Sequence, residues 1–261
     1  MNRVAVVSGA ARGIGAATVD ALVGAGYRVV ALDRCRDVPE VPYEMATPAE
    51  LEALVTRHGD AVLAVVGDVR SATDVRLAVE TATRHFGRLD AVVACAGVVA
   101  GAGPLWEVSD AAWDAVWSIN VLGCRRLIEA AVPEMLANGP HANGRIVAVA
   151  SAAGSLGLRH LAAYSSAKHA VIGLIRGVAM DLAEYGITAN AVSPGSTRTP
   201  ILDASARVYG LNSAEEFARQ QPLGRLIEPA EVAATIAWLC SPASSAITGA
   251  DVKVDGGMTV S

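Results

Sequence analysis

The chain of 261 residues has a net charge of −5 and is 52% hydrophobic, 18% charged and only 4% aromatic. That length and apolar share suit one large α/β domain with a substantial core and exclude a disordered chain. The mild acidity, with no run of basic residues longer than two, argues against a nucleic-acid partner.

Short Val-, Ala- and Leu-rich runs alternate with helical stretches from end to end. The predicted strands are Val4–Val7, Arg28–Leu32, Ala61–Val66, Ala91–Cys95, Arg145–Ala150, Thr188–Val192 and Asp251–Val254. Most are continuously apolar, as parallel strands covered by helices on both faces should be. Between them the pattern predicts helices near 13–25, 48–58, 71–86, 107–118, 121–137, 161–185 and 229–240. The alternation predicts a single-domain, doubly wound parallel sheet over residues 1–261. Two connections are too long for simple loops, the proline-bearing insertion at 34–48 and the segment 194–229, which reads as a substrate lid.

No membrane partner is expected, because the uncharged stretch Ala91 to Trp106 is short and broken by Gly97, Gly101, Gly103 and Pro104. Cys35, Cys95, Cys124 and Cys240 are far apart, which suggests neither disulfides nor a zinc site, and points to a reducing, cytoplasmic setting. His58, His85, His141, His160 and His169 lack metal-ligand spacing, so no metal is expected.

After the first strand comes Ser8-Gly9-Ala10-Ala11-Arg12-Gly13-Ile14-Gly15, then an Ala-rich helix. Glycines at this place let the backbone turn tightly against a pyrophosphate, whose charge the helix N-terminus attracts. Asp33 closes the second strand, about 20 residues on, where a carboxylate can accept hydrogen bonds from ribose hydroxyls. Its charge repels a 2′-phosphate and so favours NAD over NADP, although Arg12 or Arg34 could neutralise such a phosphate. Asp68-Val69, at the end of the third strand, could meet the adenine; Asp68 could equally cap the following helix.

Tyr164 and Lys168 stand i, i+4 on one helix, and Ser151 ends the fifth strand, so all three face the crevice at the strand C-termini. Oxidising an alcohol needs a base, and free tyrosine titrates at about 10. An ammonium about 5 Å away, at an effective dielectric of about 20, favours the phenolate by roughly 3 kcal/mol, or about 2 pK units. Ser151 would then bind the substrate oxygen, and Asn120 could hold a water linking Lys168 to solvent. Trp106, Trp113 and Trp117 fall at spacings that share a helical face, read here as core or subunit interface.

These pieces, with Ala96-Gly97, Asn190-Ala-Val-Ser-Pro194-Gly195, Thr199 and Asp255-Gly256-Gly257, resemble the short-chain dehydrogenase/reductase family over essentially the whole chain. The resemblance implies a Rossmann fold of seven parallel strands and commonly a homotetramer. It implies that Asn120, Ser151, Tyr164 and Lys168 are catalytic. It also implies that Gly9, Arg12, Gly13, Ile14, Gly15, Asp33, Arg34, Asp68, Val69, Ala96, Gly97, Tyr164 and Lys168 line the cofactor site. Pro194, Gly195, Thr197 and Thr199 would lie near the nicotinamide. Two departures stand out: Ser8 replaces the usual Thr, and Ala94-Cys95 replaces the usual Asn-Asn.

The insertion at 34–48, with Asp33-Arg34-Cys35 and Gln221-Pro222-Leu223-Gly224-Arg225, looks like the branch associated with the peptide-derived redox cofactor mycofactocin. That resemblance implies a nicotinamide kept between turnovers, with the insertion folded over the adenosine end. The expected activity is NAD-dependent hydride transfer on a small, mostly apolar alcohol or ketone. The alternatives are an NADPH-dependent ketoacyl or carbonyl reductase and a nucleotide-binding regulatory protein without turnover.

Overall fold

The computed structural model describes residues 3–139 and 142–260; His141 lies outside them. Seven strands, β1 (Arg3–Ser8), β2 (Tyr27–Asp33), β3 (Val62–Val66), β4 (Ala91–Ala94), β5 (Arg145–Val149), β6 (Thr188–Pro194) and β7 (Asp251–Val254), form one sheet in the order β3-β2-β1-β4-β5-β6-β7. Every neighbouring pair is parallel. The order reverses between β1 and β4, and at that switch point the strand C-termini open into a crevice.

The strands are apolar on both faces because each face carries its own core. Val4 and Val6 of β1 join the layer built from α3 (Ala72–Phe86), α4 (Asp110–Trp117), α5 (Gly123–Leu136) and α6 (Ala162–Leu182). Ala5 and Val7 face the other layer, with α1 (Gly13–Gly24), α2 (Pro48–His58) and α8 (Pro229–Leu239). A third, small cluster of Ala206, Phe217 and Leu226 lies under α7 (Pro200–Val208) and the 3₁₀ run Ala214–Gln220.

Several boundaries differ from the sequence pattern. Ala61 belongs to a 3₁₀ turn before β3, and Ala183–Tyr185 form a 3₁₀ turn after α6. The expected helices at 107–118 and 121–137 are nearly one rod, joined by a π-helical turn at Ser118–Leu122. Trp113 and Trp117 do stack, with ring centroids 6.0 Å apart. Trp106 is not on that helix; it sits in a 3₁₀ turn (Leu105–Glu107) before the Ser109 cap of α4 and is 85% exposed. The helical stripe of three tryptophans is therefore a pair.

Segment 34–47 has no helix or strand, yet it is tied down. Val38, Val41 and Ala46 are buried, the Asp37 carboxylate accepts from the Met45 amide at 2.8 Å, and Thr47 with Glu50 forms a capping box that starts α2. No helix among the described residues is long and apolar enough to cross a membrane.

Candidate active site

The first turn is shaped by what glycine lacks. Gly9 holds φ +65°, and a Cβ there would lie 2.7 Å from the Ala96 backbone; a Cβ on Gly15 would lie 1.9 Å from the Gly9 carbonyl oxygen. The turn can close only without side chains at these two points. Ser8 keeps the role of a hydroxyl at this position, approaching the Ala96 amide at 3.4 Å and tying β1 to the end of β4.

Helix α1 then opens without a side-chain cap and with no acid in its first turn, whereas α2, α3 and α4 are each capped by Thr47, Ser71 and Ser109. Uncapped first-turn N–H groups at the mouth of a crevice suit an anionic group such as a pyrophosphate. Asp33 lies beside them, its carboxylate accepting from the Ala11 amide at 3.0 Å and the Cys35 amide at 3.1 Å, with lone pairs left for hydroxyl donors. These residues fit a dinucleotide.

The two arginines that could have served a 2′-phosphate are engaged elsewhere. Arg34 Nε lies 3.0 Å from Asp68 Oδ2, an ion-pair contact without hydrogen-bond alignment, and its Nη1 donates to the Arg36 and Asp37 carbonyls. Arg12 donates to the Glu44 carbonyl at 2.6 Å. Asp68 does not cap α3, since Ser71 does. Burial would raise the Asp68 carboxyl, but the Arg70 hydrogen bonds and the Arg70 and Arg34 charges hold it below the usual range.

One crevice is lined by Gly9, Arg12, Gly13, Ile14, Gly15, Asp33, Arg34, Asp68, Val69, Ala96, Gly97, Ser151, Tyr164, Lys168, Pro194, Gly195, Thr197 and Thr199. Asn120 is the sequence candidate that does not line it. It lies 2% exposed behind Gly97, within the π-helical turn. Its amide nitrogen donates to the Val98 carbonyl at 3.0 Å and the Val116 carbonyl at 2.8 Å, and its Oδ1 accepts from the Val98 amide at 3.2 Å. Both amide hydrogens are used, so a water at this side chain would have only the second lone pair of Oδ1. The Asn120 side chain thus ties the loop after β4 to the π-helical turn.

Ser151 stands just beyond β5 rather than in it. It starts a 3₁₀ turn, and its hydroxyl accepts from the Ala153 amide at 3.1 Å, which leaves its hydrogen to donate into the crevice. The Tyr164 phenol is within hydrogen-bonding reach of Ser151; burial pushes the phenol up and this contact opposes the rise. Lys168 Nζ lies 5.6 Å from the Tyr164 ring centroid and donates to the Val149 carbonyl at 2.8 Å. The same burial pulls the ammonium down to about 8, against the smaller effects of Cys124 and Cys95. Desolvation thus sets the direction for both groups, raising the phenol and lowering the ammonium. Cys95 itself is a protonated thiol, pushed up to about 12 by burial.

Tyr43 lines the same crevice but carried no recognisable motif. Its hydroxyl accepts from the Val99 amide at 3.1 Å, and burial pushes the phenol up to about 12, with Tyr164 adding to the rise. The insertion therefore extends beyond Asp33: Glu44 meets Arg12 on one wall and Tyr43 meets Val99 on the other. Two histidines bond locally, His58 to Asp20 at 2.6 Å and His169 to the Ser165 carbonyl at 2.9 Å.

A doubly wound sheet whose glycine turn, strand-end carboxylate and Ser, Tyr and Lys side chains share one crevice defines a Rossmann-type protein with the site of an oxidoreductase. A family model described as enoyl-(acyl carrier protein) reductase matches residues 9–259. The chain belongs to the short-chain dehydrogenase/reductase family. It is 38% identical to the cis-4-hydroxycyclohexanecarboxylate dehydrogenase of Sinomonas cyclohexanicum, over 99% of this chain and 97% of the relative. It is 36% identical to an uncharacterised NAD-dependent oxidoreductase of Mycobacterium tuberculosis, over 98% and 95%. A crystal structure of carveol dehydrogenase from Mycobacterium avium in complex with NAD superposes with a TM-score of 0.94 at 28% identity, covering 99% of this chain and 98% of that one.

Proposed function

We propose that the protein is an NAD-dependent dehydrogenase of small, neutral, mostly apolar secondary alcohols, or a reductase of the matching ketones. The observation that carries this reading is the meeting of Ser151, Tyr164 and Lys168 in the crevice that also holds the uncapped start of α1 and Asp33. The first turn of α1 would hold the pyrophosphate and Asp33 the adenosine ribose. Asp68, Val69, Ala96 and Gly97 would border the adenosine side, and Pro194, Gly195, Thr197 and Thr199 the nicotinamide. NAD, when bound, supplies the acceptor for the substrate hydride.

The protein's own groups manage the proton. Ser151 donates to the substrate oxygen and holds it against the Tyr164 hydroxyl. Tyr164 takes the alcohol proton, and Lys168, titrating near 8, carries charge close enough to favour the phenolate as it forms. Asn120 keeps the loop at Gly97 in place beneath Lys168. At the substrate end the walls are Leu158, Leu161, Ile201, Leu202 and Phe217, and the charged residues lining the crevice besides Lys168 are Arg12, Asp33, Arg34 and Asp68, which belong to the adenosine end in this reading. A carboxylate entering this end would lose its hydration without gaining a partner. The neutral substrate is favoured for that reason over the acid named for the Sinomonas relative.

The insertion supports a finer reading, in which nicotinamide stays bound between turnovers and mycofactocin takes the electrons onward. Segment 34–47 is braced on both walls of the crevice, by Arg12 and by Val99, so the dinucleotide would have to leave beneath a strap. Assembly as a homotetramer and a cytoplasmic setting belong to the same reading; the exposed Trp106 and Met180, 85% and 79% accessible, and four free cysteines are in keeping with them.

Denaturing the purified protein and identifying the released small molecule tests the reading, followed by an alcohol panel with an artificial electron acceptor. We expect stoichiometric NAD that survives dialysis, and acceptor-dependent oxidation of neutral cyclic or branched secondary alcohols. Protein that loses its nicotinamide on simple dialysis contradicts the retained-cofactor part, and turnover only with NADPH would establish the ketoacyl-reductase alternative.

A further inference from the structure

The segment after β6 is built as a unit of its own. Helix α7 and the 3₁₀ run Ala214–Gln220 close on a private core of Ala206, Phe217 and Leu226, separate from the two cores of the sheet. Within it the Tyr209 ring meets Phe217 edge-on, with centroids 5.8 Å apart at 83°. The two ends of the unit are pinned at one point: the Gln221 side chain donates to the Ser196 carbonyl at 3.2 Å and to the Arg225 carbonyl at 2.6 Å. Gln221 is 2% exposed, so this pin is sheltered from water.

The far edge of the unit is held differently. The Tyr209 hydroxyl donates to the Arg159 carbonyl at 2.6 Å, in the loop that follows Ser151. The next carbonyl, that of His160, accepts from the Gly103 amide at 3.0 Å, in the loop that follows β4. His160 holds φ +62° to present it, a left-handed conformation that costs a non-glycine residue about 1 kcal/mol. Successive carbonyls of one loop are thus taken by the two flanking segments, so the three segments that wall the substrate end are linked in series. The joint at Tyr209 is a side chain on an exposed bond; the joint at Gly103 is main chain to main chain.

From this geometry we propose that Tyr209 is the latch of a hinged lid, a positioning residue that closes the 197–220 unit over the substrate and limits substrate size. The hinge is the sheltered Gln221 pin, the rigid body is the Phe217 cluster, and the opening edge is the Tyr209–Arg159 bond. Opening breaks one neutral hydrogen bond at the free edge and leaves the Tyr209–Phe217 contact within the unit intact. The inference rests on the alcohol-dehydrogenase reading for its kinetic consequence but not for its mechanical one.

The test is Tyr209→Phe, which removes the hydroxyl and keeps the ring against Phe217. Loss of one such bond, about 1 kcal/mol, converts to about 5-fold. Hydrogen exchange of the purified holoprotein should show amides in 197–220 exchanging about 5-fold faster, with those of α1 and α6 unchanged. With an alcohol substrate, KM should rise by a similar factor, the pH profile of kcat should not move, and the ratio of rates for bulky over small alcohols should increase. Unchanged exchange in 197–220 overturns the latch, whatever the substrate proves to be. Faster exchange without a change in KM or size preference confines Tyr209 to a structural tie and overturns its role in positioning. Failure of every alcohol to react counts against the proposed function and leaves exchange to judge the latch.

Discussion

Burial dominates the chemistry of individual side chains here. Lys168 is 4% exposed and its ammonium is pulled down to about 8, while an unfolded lysine titrates near 10.5. Below pH 8 the folded protein holds a desolvated charge that the unfolded chain holds in water, which is destabilising. Between 8 and 10.5 the unfolded state binds more protons, so this contribution to stability improves as pH rises. Replacing the charge while keeping the volume, as in Lys168→Met, should therefore alter Tm in a pH-dependent way. The difference between variant and parent should be most favourable to the variant near pH 7 and shrink toward pH 10. The lost bond to the Val149 carbonyl adds an offset that does not vary with pH. Thermal melts across that range check the prediction, and a difference that stays flat would show that the ammonium is not paying a desolvation cost.

Among the elements, the strap at 34–47 and the π-helical turn do what no local pattern announces. The strap reaches across the crevice because Tyr43 finds the Val99 amide, a partner 56 residues away in sequence. Tyr43→Phe removes that acceptor and leaves the amide unpaired. At about 1 kcal/mol for a neutral hydrogen bond, the strap should open about 5-fold more often. If the nicotinamide is held beneath it, release of bound NAD into a chase should quicken by the same order while the yield of folded protein is unchanged. An identical release rate in the variant would show that the strap does not retain the cofactor. The π-helical turn arises similarly: Asn120 turns its amide to Val98 and Val116, and one extra residue enters the rod so that it can.

Over the whole molecule, the sheet was the most legible part of the sequence. Parallel strands covered on both faces read mostly as unbroken apolar runs, and the seven predicted strands match the seven observed with small errors at their ends. The glycine turn was legible because Gly9 and Gly15 answer to local backbone geometry, and Tyr164 with Lys168 because helical spacing is local. What remained hidden was long-range. The pairing of Arg34 with Asp68, the anchoring role of Asn120, the reach of Tyr43 and the Tyr209–Arg159 joint all depend on which loops meet at the strand ends. Trp106 was misread because a 3₁₀ turn and the Ser109 cap break the helical spacing that seemed to include it.

The account depends on Tyr164 accepting a proton from an alcohol whose hydride leaves for a nicotinamide in the same crevice. Its most direct test uses a secondary alcohol bearing deuterium on the carbinol carbon, incubated with the purified holoprotein, which is then denatured so that the released dinucleotide can be weighed by mass spectrometry. The prediction is reduced dinucleotide carrying one deuterium from the parent protein. In Tyr164→Phe its rate of formation should fall by about 10²- to 10⁴-fold, the range for losing a positioned acid or base. Deuterium transferred at the same rate by both proteins, or reduced dinucleotide that carries none, would contradict it.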